Sequence, residues 1–193
     1  MTVKTSESGS ESFTFAMINH LGTHIDFPKH FIRGGKSIDD FSPDFWAGHV
    51  AKVIECAKGP NDMISREDFE ALTLDEDVTV LLVKTGFEQF RGEQLYWEEN
   101  PGFAVDVATL LRSRFPQIKI LGMDVISLSG FQNRPVGKLA HLEFLGSEDP
   151  ILLLEDMCLE NVTEGDVLDI QIAPLNIAGA DGSPCTVIGK CRN

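Results

Sequence analysis

Residues 20–30 read His20-Leu21-Gly22-Thr23-His24-Ile25-Asp26-Phe27-Pro28-Lys29-His30. Three of the chain's five histidines fall in this stretch, with an aspartate among them. His20, His24, Asp26 and His30 are all even-numbered, so an extended strand, whose side chains alternate faces, points the four the same way. A straight strand rises about 3.3 Å per residue, which leaves His20 and His24 roughly 13 Å apart. Two ligands of one metal ion must each sit about 2 Å from it. The spacing therefore predicts a strand that bends at Gly22, where no Cβ opposes a bulge. Pro28 then ends ladder pairing and turns His30 back. Helix is the competing geometry, because His20 and His24 stand at i and i+4, but Gly22, Thr23, Ile25 and Pro28 oppose it. One histidine alone reads as an ordinary loop residue. Three with a carboxylate in one register read as ligands for Zn²⁺ or Mn²⁺.

Outward from this stretch, Phe13 to Ile18 is apolar and β-prone and feeds the histidines. Residues 1–12 are polar, predicting a flexible N-terminus before a domain spanning 13–193. Val50 to Cys56 reads as a strand with His49 at its start, a surface or core residue. Ser65-Arg66-Glu67-Asp68 opens a capped helix. Val78 to Val83 is a continuous apolar run, the mark of a buried strand. Val105, Ala108, Leu111 and Phe115 recur at helical spacing. Ile118 to Met123 and Ile151 to Leu154 are further strands. Val167 to Ile177 is a longer one interrupted by Pro174, Ala180 to Pro184 is a tight turn, and Thr186 to Ile188 is the last strand. No repeat or linker divides the chain, and the mixture of strands and helices predicts a single α/β or α+β domain.

Composition narrows the partners. Thirty acidic residues against 16 basic ones give a net charge of -14. That disfavours nucleic acid and anionic membrane, both of which select basic patches. No apolar run approaches the roughly 20 residues of a membrane helix, and Met1 to Ser12 lacks the apolar core of a signal peptide. Cys56, Cys158, Cys185 and Cys191 show no paired spacing, so they read as reduced thiols of a cytoplasmic protein.

The histidine stretch resembles the His-x-Gly-Thr-His-x-Asp-x-Pro-x-His signature of the cyclase family, which includes bacterial kynurenine formamidases and isatin hydrolases. Every fixed position is present. Thr85-Gly86-Phe87 resembles the family's Thr-Gly-aromatic segment after a strand, and Gly122 to Ser127 its Gly-x-Asp-x-x-Ser passage. There Asp124 either orients a ligand or closes a turn. The resemblance runs from about Phe13 to Ile188. It implies a swivelling β/β/α fold, a barrel-like mixed sheet with flanking helices, and a homodimer or homotetramer. It adds His141 and Glu155 to His20, His24 and Asp26 as metal ligands, with Asp26 free to bridge a second ion. Two departures stand out. Family members usually carry a further segment before the signature, and Phe27 replaces a residue that is often Ala, so the ring either narrows the pocket or faces the core.

The chemistry expected of such a site is hydrolysis of a C–N bond in an amide, formamide or lactam of a small, aromatic substrate. One or two ions, Zn or Mn, lower the pKa of a water towards 7 and polarise the carbonyl. His30, beyond Pro28, is assigned proton transfer between water and leaving nitrogen, with direct metal ligation as its competing role. A lactone hydrolase or cyclase using the same groups is the alternative within enzymes, and a non-catalytic member that binds metal or a small ligand is the alternative outside them.

Overall fold

The structure, a computed structural model, describes residues 2–192. In chain order its strands and α-helices are β1 (Thr2–Thr5), β2 (Glu11–Thr14), β3 (His24–Asp26), β4 (His49–Glu55), β5 (Met63–Ile64), β6 (Val80–Lys84), α1 (Gln94–Glu98), β7 (Gly102–Phe103), α2 (Asp106–Arg114), β8 (Ile120–Met123), α3 (Arg134–Leu145), β9 (Leu152–Glu155), β10 (Val167–Pro174) and β11 (Gly182–Cys191). Seven strands close into a barrel in the order β10-β11-β3-β9-β8-β6-β4. β4, β6, β8 and β9 run parallel to one another, while β3, β11 and β10 join them and each other by antiparallel pairing. The fold is the mixed α/β barrel that the resemblance implies, with the helices outside it.

The parallel half follows from its apolar runs. Val80 to Val83 and Leu152 to Leu154 are buried, as strands covered on both faces must be. α2 and α3 pack on each other, and α3 also packs on β9. β10 instead alternates, with Leu168, Ile170 and Ile172 inward and Asp169 and Gln171 in solvent, the pattern of a strand covered on one face.

Several expectations change in detail. Thr2–Ser12 finds no core to dock on and stays exposed, yet Thr2–Thr5 pairs with Glu11–Thr14 as a hairpin. The division drawn at residue 12 therefore falls inside β2, while Met1, part of the segment expected to be flexible, lies outside the described residues. Local backbone pairing needs no burial to form, which is why a polar composition concealed it. The helix opened by Ser65 is one 3₁₀ turn, Arg66–Phe69. β10 stops at Pro174, and the final strand runs from Gly182 because Gly182 to Pro184 pair with β3 before Cys185 to Cys191 pair with β10. Phe27 is fully buried, its ring 5.5 Å from Phe41 and 6.0 Å from Trp46, so it faces the core. His49 is also a core residue, bonded to Thr79 Oγ1 and the Phe45 carbonyl.

Candidate metal centre

The histidine stretch is not one bent strand. Only His24–Asp26 enters the ladder. Gly22 takes a left-handed φ of 66° in a bend that precedes the ladder, and the turn folds His20 back over β11. Pro28 opens a 3₁₀ turn ending at His30. The four side chains still converge, through a turn, a strand and a 3₁₀ turn rather than through strand parity alone.

β3 presents His24 and Asp26 to the same side, being two residues apart. In the ladder His24 stands opposite Glu155, the last residue of β9. His141 arrives from α3. Asp26 and Glu155 are 1% and 2% exposed, and His24 and His141 are equally buried. Charged groups at that depth must be paired or bound to an ion.

The distances are those of ligands rather than of hydrogen bonds. His24 Nε2 lies 3.4 Å from Asp26 Oδ1 and 3.4 Å from Glu155 Oε2. His141 Nε2 lies 3.4 Å from Glu155 Oε1 and 3.7 Å from Asp26 Oδ2. Two donors each about 2.1 Å from one tetrahedral ion stand roughly 3.4 Å apart. Backbone carbonyls decide which ring nitrogen is offered. The Nδ1–H of His24 donates to the Gly22 carbonyl and that of His141 to the Gly137 carbonyl, each at 2.8 Å. Both Nε2 atoms are thereby turned to the carboxylates, the outer hydrogen bond setting the tautomer.

On the outer side, His20 Nδ1 bonds Asp26 Oδ1 at 2.8 Å. Its Nε2 is buried without a hydrogen bond, an unsatisfied donor or acceptor that an ion would relieve. His20 lies over Gly182, where any Cβ would come within 2.2 Å of its ring. His30 Nε2 is 4.0 Å from Asp26 Oδ2, and the rings of His20 and His30 stack at 4.0 Å. Donor atoms thus gather in two sets that share Asp26, namely His20–Asp26–His30 and His24–Asp26–Glu155. Asp26 is the member that would be common to both sets if two ions were held. The grouping differs from the expectation in pairing His24 with Glu155 and His20 with His30, because the barrel ladder, not chain proximity, sets who faces whom. The imidazole and carboxylate donor set fits a divalent metal ion.

Each ionisable group of the cluster is shifted by its neighbours. Burial pushes His24 down, but the facing carboxylates of Asp26 and Glu155 outweigh it and lift the imidazole to about 11. His141 is raised against the same burial by Glu155, and His20 by Asp26. Glu155, which burial would raise, is held well below the usual carboxylate range by His141 and His24.

Asp181 and Asn19 were not found from the sequence. Asp181 Oδ2 accepts a hydrogen bond from His30 Nδ1 at 3.0 Å, and its Oδ1 accepts one from Asn19 Nδ2 at 2.7 Å. Burial raises Asp181, yet the bonds from His30 and Asn19 bring it down to about 2. Asp181 lies in the tight turn before β11, where an aspartate reads as turn chemistry. Asp124 takes the turn role. Its carboxylate accepts the Thr85 hydroxyl and amide at 2.6 and 2.9 Å and the Gly86 amide at 2.8 Å.

A cavity of about 620 Å³ adjoins the cluster, walled by Phe31, Trp97, Ile126 and Phe131. Phe31 is common to both, its ring stacked 4.2 Å from that of His141. Ser127 and Ser129 mark the inner end, with hydroxyls 3.5 Å from Glu155 Oε1 and 3.4 Å from His141 Nδ1.

A mixed barrel with this cluster at its edge defines a class before it defines a family. A solved structure described as a potential metal-dependent hydrolase with cyclase activity superposes with a TM-score of 0.75 at 26% identity, over 97% of this chain and 85% of the other. Isatin hydrolase A from Labrenzia aggregata shares the fold, with a TM-score of 0.75 at 24% identity over 93% of this chain and 76% of its own. Among curated proteins, the kynurenine formamidase of Bacillus cereus is 30% identical over 183 residues, 94% of this chain and 81% of the relative. The family model described as "putative cyclase" matches residues 2–129. The chain belongs to the putative cyclase family. Among the described residues no helix is long and apolar enough to cross a membrane, and all four cysteines are free thiols.

Proposed function

We propose that the protein is a metal-dependent hydrolase of C–N bonds that cleaves a small aryl amide, formamide or lactam, with His20, His24, Asp26, His141 and Glu155 as ligands for one or two Zn or Mn ions. The observation that carries this is the buried Asp26 carboxylate, with imidazole nitrogens from four histidines within 4.0 Å of its oxygens. The bound ion supplies Lewis acidity, which lowers the pKa of water and polarises a carbonyl.

The chain's own groups do the rest. His30 Nε2 accepts the proton lost by the attacking water and returns it to the leaving nitrogen, so an amide and water become an acid and an amine. Asp181 holds His30 by Nδ1, aims the other nitrogen at the cluster and stabilises the imidazolium between the two transfers. Phe31, beside both His30 and His141, keeps one wall of the reacting space apolar and seats an aryl group in the cavity. The relatives' names support this choice of substrate class, since kynurenine formamidase and isatin hydrolase are among them.

The test is a screen of formanilides, lactams and lactones against metal-stripped protein resupplied with Zn²⁺ or Mn²⁺. Amide or formamide turnover that depends on added ion supports the reading. Tight ion binding with no turnover of any of these overturns it in favour of a binding protein. Turnover of lactones alone moves the activity to C–O bonds.

The free thiols fit a cytoplasmic setting. The assembly we propose is a homodimer or homotetramer. Phe13, Phe15, Met17 and Ile18 are 45–67% exposed on the segment that leads into the site, an apolar strip that a second copy would cover. Sedimentation should give a dimer or tetramer that dissociates when Phe15 and Ile18 are both changed to Ser. A wild-type monomer rules the assembly out.

A further inference from the structure

We infer that the cavity selects aryl substrates bearing an anionic group, a carboxylate on or near the ring, which Arg134 and Lys138 bind. The inference rests on the hydrolase reading for the bond that is cut, but not for what the cavity binds.

Arg134 and Lys138 stand at i and i+4 on α3, so they share a helix face, and both line the cavity. The guanidinium carbon of Arg134 lies 4.3 Å from the centre of the Phe131 ring, a cation–π contact that lays the charge along the aromatic wall. Among the described residues neither cation is within 4.0 Å of a carboxylate, whereas Arg91, Arg112 and Arg192 each have one. This holds in a chain with 30 acidic residues and 16 basic ones.

The other polar lining groups are already engaged. Asn100 spends its amide on the carbonyls of Pro101, Ser127 and Ser129, and its oxygen on the Phe131 amide. Ser127 and Ser129 belong to the cluster end. Glu98, the one carboxylate on the wall, accepts a hydrogen bond from Gln94 at 2.9 Å. The lining therefore carries a net positive charge that an anion answers. The cavity brings together the ligand cluster at Ser127 and Ser129, aromatic walls and two cations. An aryl amide with a carboxylate satisfies all three parts, and a neutral one satisfies two.

Two readouts test this. Calorimetry on the ion-free full chain compares benzoate with its neutral isostere benzamide. Kinetics on the metal-loaded chain compares the 2-, 3- and 4-carboxy derivatives of formanilide with formanilide itself. We expect benzoate to bind about fivefold more tightly than benzamide, the scale of two solvent-exposed ion pairs, and the ratio to fall as salt is added. In Arg134→Gln/Lys138→Gln both the calorimetric ratio and the kinetic preference should fall towards one, while Arg134→Lys/Lys138→Arg should keep them. A calorimetric ratio unchanged in the Gln variant overturns the inference, as does a wild-type ratio that is near one or indifferent to salt. If no formanilide is turned over, the hydrolase reading fails, and the calorimetric ratio still decides the anion site.

Discussion

Asp181 Oδ2 lies 3.0 Å from His30 Nδ1, joining residues 151 positions apart in the chain. A carboxylate behind an imidazole sets its tautomer and steadies the protonated form, so His30 can offer Nε2 to the cluster. Asn19, bonded to the other oxygen of the same carboxylate, keeps it from rotating away.

The pair separates proton transfer from ion binding. Asp181→Asn should lower kcat about tenfold to hundredfold, the usual effect of losing such a support, with metal content unchanged by elemental analysis. His30→Asn should cost roughly 10²–10⁴ in kcat, the worth of a general base, again with full metal content. Loss of the ion from His30→Asn would instead make His30 a ligand.

Gly182 faces His20 with no room for a methyl group, since a Cβ there falls within 2.2–2.9 Å of three ring atoms. Gly182→Ala should push the imidazole out of the cluster and weaken ion binding about tenfold to hundredfold, measured by competition with a chromophoric chelator. The ion-free melting temperature should change little, because His20 is a half-buried side chain in a turn. Unchanged affinity would show that His20 is not a ligand.

An arriving ion must displace protons. His24, lifted to about 11 by Asp26 and Glu155, is charged near neutrality in ion-free protein, and Glu155 raises His141 in the same direction. Adding Zn²⁺ or Mn²⁺ to stripped protein at pH 7 in weak buffer should release protons, and affinity should rise with pH. The same shift fixes a sign for stability. A histidine raised from 6.5 stabilises the ion-free fold fully below pH 6.5, and the contribution fades as pH climbs through about 11. Ion-free protein should therefore melt progressively lower towards alkaline pH, and loaded protein should not show this loss. Ion uptake without proton release would contradict the assignment of His24 and His141.

Much of the barrel was legible in particular residues. Val80 to Val83 and Leu152 to Leu154 could only be buried strands, because apolar runs of that length have nowhere else to go. The convergence of His20, His24, Asp26 and His30 was legible too, although the device was misread. Strand parity predicted one face, whereas the left-handed turn at Gly22 and the 3₁₀ turn at Pro28 bring in the outer two. The N-terminal hairpin was hidden because backbone pairing without burial leaves no hydrophobic pattern. His141 and Glu155 came from resemblance alone, since a lone histidine on a helix and a carboxylate ending a strand have no local mark.

The sequence by itself determined the kind of chemistry, because residue types and short spacings are set by local chain geometry, and three histidines with an aspartate in one short stretch can meet wherever that stretch lies. Only the tertiary structure decided the partners. Closing the barrel sets β3 between β9 and β11, which places Glu155 opposite His24, Gly182 beneath His20 and Asp181 behind His30. No spacing along the chain encodes those neighbours, because they depend on which strand edges pair, and that is settled by the burial of the whole core.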